Sequence, residues 1–336
     1  MPLTEADKAI RATGIGASEA WKVVEGHGAH DVFLRLVHPH LLVPEDESSG
    51  LPARKGQALE PLVAELYAER FGIPLDRLER CVTTLRHPKH SFILATPDAI
   101  VHGNVRRELL EIKCPTIDTR DDWGPDGSVE LDAIPLKYRI QITIQMAVTG
   151  IHVANLAALI EGDRDIRVYP VEWDPELADL IVSKLSHFWW AHVIPQVDPP
   201  ADSSYAASNY LRRKHPKSTG NLRAPSLEDV HLWETGEVLQ GDAGLHRELL
   251  LVGAQMAALK QRKALLSNIA MARTGDADGV EGLWTWRLPK SGKGRTAWKN
   301  AAIEGRVPAD VIAKHTKPPQ RIFRVIGGDD DDNEET

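Results

Sequence analysis

The first 195 residues predict an α/β unit, on three observations. Apolar residues recur at helical spacing over 57–71. Three short β-prone runs follow at 80–87, 91–101 and 107–114. Helical spacing then returns over 135–149. In the first helix Leu59, Leu62, Val63, Leu66, Tyr67 and Phe71 supply the period, and Gly56 and Gly72 serve as its end signals. The β-prone runs are broken by His-Pro, Thr-Pro and His-Gly-Asn turns. The second helix has Pro135 near its first turn and stops before Gly150. Val153 to Ile160 and Ile166 to Val171 read as strands. Residues 175–194 read as an amphipathic helix carrying Trp189 and Trp190.

A Pro-rich, polar stretch then marks a boundary, and 196–241 is expected to be a linker or long surface loop. A long helix is expected over 242–273, with Leu245, Leu249, Val252, Met256, Leu259, Lys263 and Leu266 along it, a pattern suited to a helical arm. A small basic α+β unit is expected over 274–326, with strands around WTWRLP and RIFRVI, and a disordered acidic tail over 327–336.

The 336 residues are 42% hydrophobic and 26% charged, which excludes a wholly disordered chain. No stretch approaches the roughly 20 apolar residues a bilayer requires, and the acidic, polar start (Met1 to Asp7) is unlike a secretory signal. Two cysteines, Cys81 and Cys114, cannot form a disulfide framework, so a reducing cytoplasm is expected. The net charge of −8 hides a strong asymmetry. Residues 285–325 hold ten Lys and Arg against two acids, and the last ten residues hold six acids. Trp284, Trp286 and Trp298 fall in or beside the basic segment, a mixture suited to contacting a nucleic-acid backbone and stacking bases.

Four features converge on one chemistry. In Leu110-Glu111-Ile112-Lys113 the strand period puts Glu111 and Lys113 on one face and Leu110 and Ile112 on the other. A turn at Gly103-Asn104 brings this strand back antiparallel to the preceding one, so Asp98 of Thr96-Pro97-Asp98 can lie across from Glu111. Two carboxylates beside one site suit a hard divalent cation such as Mg²⁺. Glu60, on the helix before the sheet, can offer a third carboxylate. Gln141 and Gln145, one turn apart, make a polar patch on an otherwise apolar helix. Taken singly, each feature is ordinary: E-x-K on a strand is commonly a surface ion pair, and Pro-Asp a common turn. Their order along the chain is the signal. His27, His30, His38 and His40 lack cysteine partners at zinc spacing and read as loop histidines.

These residues resemble the PD-(D/E)xK nuclease superfamily and, within it, the phage lambda exonuclease and YqaJ-type viral recombinase family. The matching segments are Arg11 to Glu19 (RATGIGASE), Gly56 to Pro61, Ala95 to Asp98, Leu110 to Pro115 (LEIKCP) and Tyr138 to Gly150. The resemblance covers about residues 8–195. Ala99 stands where the family usually has Gly after Pro-Asp. The resemblance implies a restriction-endonuclease-like core, a central mixed sheet flanked by helices. It also implies a Mg²⁺- or Mn²⁺-dependent DNA exonuclease with two ions. Asp98, Glu111 and the Ile112 carbonyl would hold the principal ion, and Glu60 a second ion or its waters. Lys113, its pKa lowered by burial near metal ions, would orient or help deprotonate the attacking water and offset phosphate charge, and Gln141 would hold Lys113, the water or the substrate strand in place. Arg11 and Ser18, with Ser18 capping a helix that begins near Glu19, would hold a 5′-phosphate. The implied reaction is 5′-to-3′ degradation of one strand at double-stranded DNA ends, leaving 3′ single strands for recombination. Implied partners are a RecT- or Beta-like single-strand annealing protein and further copies of the chain in a ring. The competing expectations are a RecB- or Cas4-like repair nuclease, an endonuclease, and a non-catalytic DNA-binding protein. The absence of a four-cysteine set argues against the iron–sulfur members.

Overall fold

The computed structural model describes residues 5–41, 51–232, 235–275, 277, 279–280 and 283–285. They divide into two compact units, with the break after Lys214.

The first unit opens with α1 (Glu5–Arg11), β1 (Ile15–Gly16), α2 (Ala20–Val24) and α3 (Ala29–Val37), followed by the long α4 (Leu51–Phe71). Gly56, read from the sequence as an end signal, lies inside α4, and Pro61 is accommodated within it. The β-prone runs become β2 (Leu78–Arg80), β3 (Leu85–Arg86), β4 (Ile93–Ala95), β5 (Ala99–His102) and β6 (Arg107–Lys113). The 91–101 run is therefore two strands, because Thr96-Pro97 interrupts it and Pro cannot donate to a ladder. Next come α5 (Leu136–Thr149), β7 (Val153–Ala158), β8 (Arg167–Glu172) and α6 (Pro175–Phe188). Gly150 caps α5 in the left-handed conformation and Asp174 caps α6 through its side chain.

The main sheet has the order β2-β5-β6-β7-β8. Its pairs are antiparallel except β6–β7, which are parallel and joined through α5. It is thus a mixed sheet between helices, as the resemblance implied. On one face Leu110, Ile112, Ala157 and Val168 pack on Val63, Ala64 and Tyr67 of α4. On the other, Leu109, Leu156 and Tyr169 meet Ile142 and Met146 of α5. A third cluster joins Ile140, Ile144 and Val148 of α5 to α2, α3, α6 and β4. Helix α5 is consequently buried nearly all round.

A separate small sheet has the order β1-β4-β3. Ile15 donates to the Phe92 carbonyl at 2.7 Å and Ala17 to the Leu94 carbonyl at 2.8 Å. A Cβ at Gly14 would collide with the Phe92 carbonyl, so glycine permits this approach.

The expected linker at 196–241 is not all linker. It contains α7 (Tyr205–Lys214), whose Tyr210 joins the third cluster beside Phe33 of α3. His30, expected in a loop, lies buried on α3. The second unit holds the hairpin β9–β10 (Val230–His231, Val238–Leu239), the 34-residue helix α8 (Gly241–Thr274) and the short pair β11–β12 (Gly279–Val280, Trp284–Thr285). The expected strand around RIFRVI, most of the basic segment and the acidic tail lie outside the described residues. No helix among the described residues is long and apolar enough to cross a membrane.

Candidate active site

Antiparallel β5 and β6 pair Ala99 with Leu110, so Asp98, one residue before β5, comes opposite Glu111. The carbonyl of Lys113 accepts from Leu159 on the β7 side. By the alternation of backbone groups along a strand, Ile112 turns its N–H and C=O the other way. That N–H donates to Asp98 Oδ2 at 2.7 Å. Asp98 and Glu111 are therefore together, as the hairpin register predicts, and the backbone of Ile112 lies beside Asp98.

Glu111 is only 1% exposed. Such a carboxylate is tolerated only when its lone pairs are occupied. Lys113 Nζ and Gln141 Nε2 both donate to Oε1, and Gln145 Nε2 donates to Oε2 at 2.7 Å. Gln145 itself is fully buried, and its Oε1 has no hydrogen-bond partner among the described residues. The two glutamines on an apolar helix thus exist to serve Glu111. The sequence marked Gln145 as part of the patch but not as a site residue.

Burial, then the neighbouring Glu111 charge, pushes the Asp98 carboxyl up from 3.8 to about 7. For Lys113, burial works to lower the pKa, but Glu111 and Asp98 outweigh it and the ammonium is held above its ordinary value. Without a metal ion, the two carboxylates thus favour the protonated ammonium of Lys113.

Glu60 makes no hydrogen bond to this cluster among the described residues, although its charge acts on Asp98. Arg80 holds Glu60 at 3.0 Å. Glu60 and Asp98 both line a cavity of about 830 Å³. A smaller pocket of about 150 Å³ lies where Asp98, Glu111, Lys113, Gln141 and Gln145 meet Arg11 and Ser18. Arg11 and Asp98 line both spaces.

Arg11 Nη2 stands 3.4 Å from Ser18 Oγ. Ser18 is not a helix cap: α2 begins later, its N-cap position is Glu19, and it has only five residues. Instead Glu19 Oε1 accepts from the Gly16 N–H at 3.0 Å. Arg35 of α3 binds Glu19 and the carbonyls of Arg11 (2.9 Å) and Gly14 (2.8 Å). Arg35 thus fixes the loop that presents Arg11 and Ser18. Nothing in its local sequence marked it, because its partners lie 16 to 24 residues away.

The residues present fit one divalent cation. Asp98 and Glu111 are buried carboxylates side by side, burial and then the Glu111 charge disfavour ionisation of Asp98, and a dication between them would relieve that repulsion. The Ile112 carbonyl, on the Asp98 side, adds a hard oxygen. Among the described residues no three His, Cys, Asp or Glu side chains are grouped as a ligand set, and Glu60 is engaged with Arg80. The donor set fits a second ion poorly in this arrangement.

Residues 8–152 match the model of the YqaJ-like viral recombinase domain. YqaJ of Bacillus subtilis (strain 168) is 30% identical over 213 residues, which are 63% of this chain and 63% of that protein. Among solved structures, an alkaline exonuclease from Laribacter hongkongensis is similar with a TM-score of 0.46 and 22% identity, over 63% of this chain and 98% of that one. A phage-related exonuclease from Haemophilus somnus 129PT gives 0.41 and 14%, over 55% and 96%. Residues 8–152 are thus similar to the YqaJ-like viral recombinase domain, and the chain spans under two thirds of the length of its Bacillus subtilis relative.

Proposed function

We propose that the protein is a divalent-metal-dependent DNA exonuclease that degrades one strand of linear duplex from its 5′ end and leaves a 3′ single strand for recombination. The observation that carries this reading is the desolvated Asp98–Glu111 pair beside the Lys113 ammonium, in a pocket also lined by Arg11 and Ser18. Phosphodiester hydrolysis requires an activated water and compensation of negative charge on the phosphate and leaving oxygen. Asp98, Glu111 and the Ile112 carbonyl would hold a Mg²⁺ or Mn²⁺ ion, which supplies Lewis-acid activation when bound. Lys113 offers Nζ to orient or help deprotonate the attacking water and to offset charge on a phosphate oxygen. Gln141 and Gln145 hold the Glu111 carboxylate in place. Arg11 and Ser18 offer a guanidinium and a hydroxyl to a terminal 5′-phosphate, and this selects an end over an internal bond. Glu60 needs release from Arg80 before it can join a second ion. A single-strand annealing protein is the partner suited to the product, and a ring of copies is the assembly suited to retaining the duplex.

The test is digestion of end-labelled linear duplex and of closed-circular duplex, with and without a 5′-phosphate, in Mg²⁺ and in EDTA. Mg²⁺-dependent loss of linear DNA only, faster with the phosphate, is expected. Asp98→Ala should abolish cleavage while circular dichroism stays unchanged. Full activity of that variant would overturn the site, and cleavage of the closed circle would make the protein an endonuclease.

A further inference from the structure

A second feature lies along the strand that leads into the pocket. Phe92, just before β4, stacks on Trp189 with ring centroids 4.7 Å apart and planes 6° from parallel. Trp190 meets the same phenyl ring at 85°, with centroids 6.3 Å apart. His90 packs edge-on to Phe92 at 5.8 Å. Phe92 is buried, whereas Trp190 is 62% exposed. Residues Trp189–Val193 form a π-helical turn at the end of α6. Just beyond it Gln196 holds a positive φ of 56°. Both conformations are uncommon and persist where the surrounding structure holds them, frequently beside functional sites.

The charge around this cluster is one-sided. Segments 8–18, 81–97 and 180–197 contain no Asp or Glu, in a chain with 48 of them. They carry Arg11, Arg86, Lys89 and Lys184. The fold brings the three together: β1 pairs with β4, β3 pairs with β4, and Phe92 stacks on Trp189. Arg86 ties two of them, donating to the Ser91 carbonyl at 2.8 Å and to Thr13 Oγ1 at 2.9 Å. From Phe92 to Ala95, a lining residue of the small pocket, β4 spans roughly 10 Å.

We infer that Trp190, set against Phe92, which itself stacks on Trp189, is a stacking platform for an unpaired base of a DNA strand running along this edge to or from the pocket. Basic side chains on segments with no Asp or Glu of their own accept the phosphates, and an exposed indole set against the Phe92 ring accepts a base face without regard to its identity. The inference rests on the nuclease reading for its choice of DNA, but its test does not require cleavage.

The full-length protein is titrated in EDTA into a fluorescein-labelled single-stranded oligonucleotide of about 15 nucleotides, followed by anisotropy, and into an abasic strand of the same length. Trp190→Ala should weaken binding to the base-bearing strand roughly 5- to 100-fold, and Trp190→Phe should restore most of it. The abasic strand should bind wild type and Trp190→Ala alike. Equal binding of the base-bearing strand by wild type and Trp190→Ala overturns the platform and assigns the apolar rim of Trp190, Ile194 and Val197 to a protein partner instead. Equal losses on both strands overturn it as well. A protein that cleaves no DNA yet gives the expected pattern keeps the platform and sinks the exonuclease reading. One that cleaves DNA but ignores Trp190 does the reverse.

Discussion

Asp98 and Glu111 are both desolvated carboxylates, but they are treated differently. Glu111 has donors on both oxygens, from one lysine and two glutamines. Asp98 has the Ile112 N–H on Oδ2, and its carboxyl is raised to about 7 by burial and then by Glu111. The consequence for stability has a definite sign. Between about pH 4 and about pH 7 the unfolded chain has lost a proton that the folded, metal-free protein still holds. Metal-free stability attributable to Asp98 therefore falls as pH rises through that window and levels off above it, by an amount on the order of a few kcal/mol. Asp98→Asn removes the charge and keeps an acceptor for Ile112. In EDTA at about pH 8 it should melt several degrees above wild type while being inactive. A variant whose Tm in EDTA matches wild type from about pH 4 to about pH 8 would show that Asp98 is not the titrating group.

At the scale of elements, α5 carries most of the design. Two of its stripes face apolar neighbours, and Gln141 and Gln145 point at Glu111. Gln141 and Gln145 are one turn apart, so a helix rotated by even one position would present Ile142 and Met146 to the carboxylate. Gln145 also buries an acceptor without a partner, an arrangement that costs about 1–3 kcal/mol and is retained for the sake of its donor. Gln145→Ala leaves Glu111 Oε2 without that donor. By analogy with groups that orient metal ligands, it should lower Mg²⁺-dependent cleavage about 10- to 100-fold and raise the Mg²⁺ concentration needed for half-maximal rate. Wild-type Mg²⁺ dependence would remove Gln145 from the site. The opposing element is the Gly14–Glu19 loop, which Arg35 ties to α3.

For the whole molecule, the break after Lys214 separates the site-bearing unit from the helix α8 and the sequence beyond it. Every residue of the candidate site lies in the first unit. Residues 1–214 should therefore fold alone, unfold in one cooperative transition and retain Mg²⁺-dependent cleavage. They lack the ten basic residues of 285–325. If that segment contacts phosphates, the truncated protein should bind duplex DNA more weakly at low salt and lose affinity less steeply as salt rises. An unchanged salt slope would exclude the basic segment from DNA binding. An aggregated fragment would show that the second unit is needed for folding.

The sequence by itself determined what depends on local period and on one short turn. The strand alternation of Glu111 and Lys113, the hairpin that returns Asp98 opposite Glu111, and the helical spacing of Gln141 and Gln145 all span a few residues or a single chain reversal, and fixed backbone geometry makes them legible. The structure decided what depends on distant partners. It buried Glu111 and so made Gln145 necessary, turned Glu60 to Arg80, set two carboxylates beside Lys113 and recruited Arg35 to the loop. It also packed α7 back onto α3 where the composition read as linker. Burial, charge pairing and desolvation are properties of an environment assembled from segments far apart in the chain, and no local pattern encodes them.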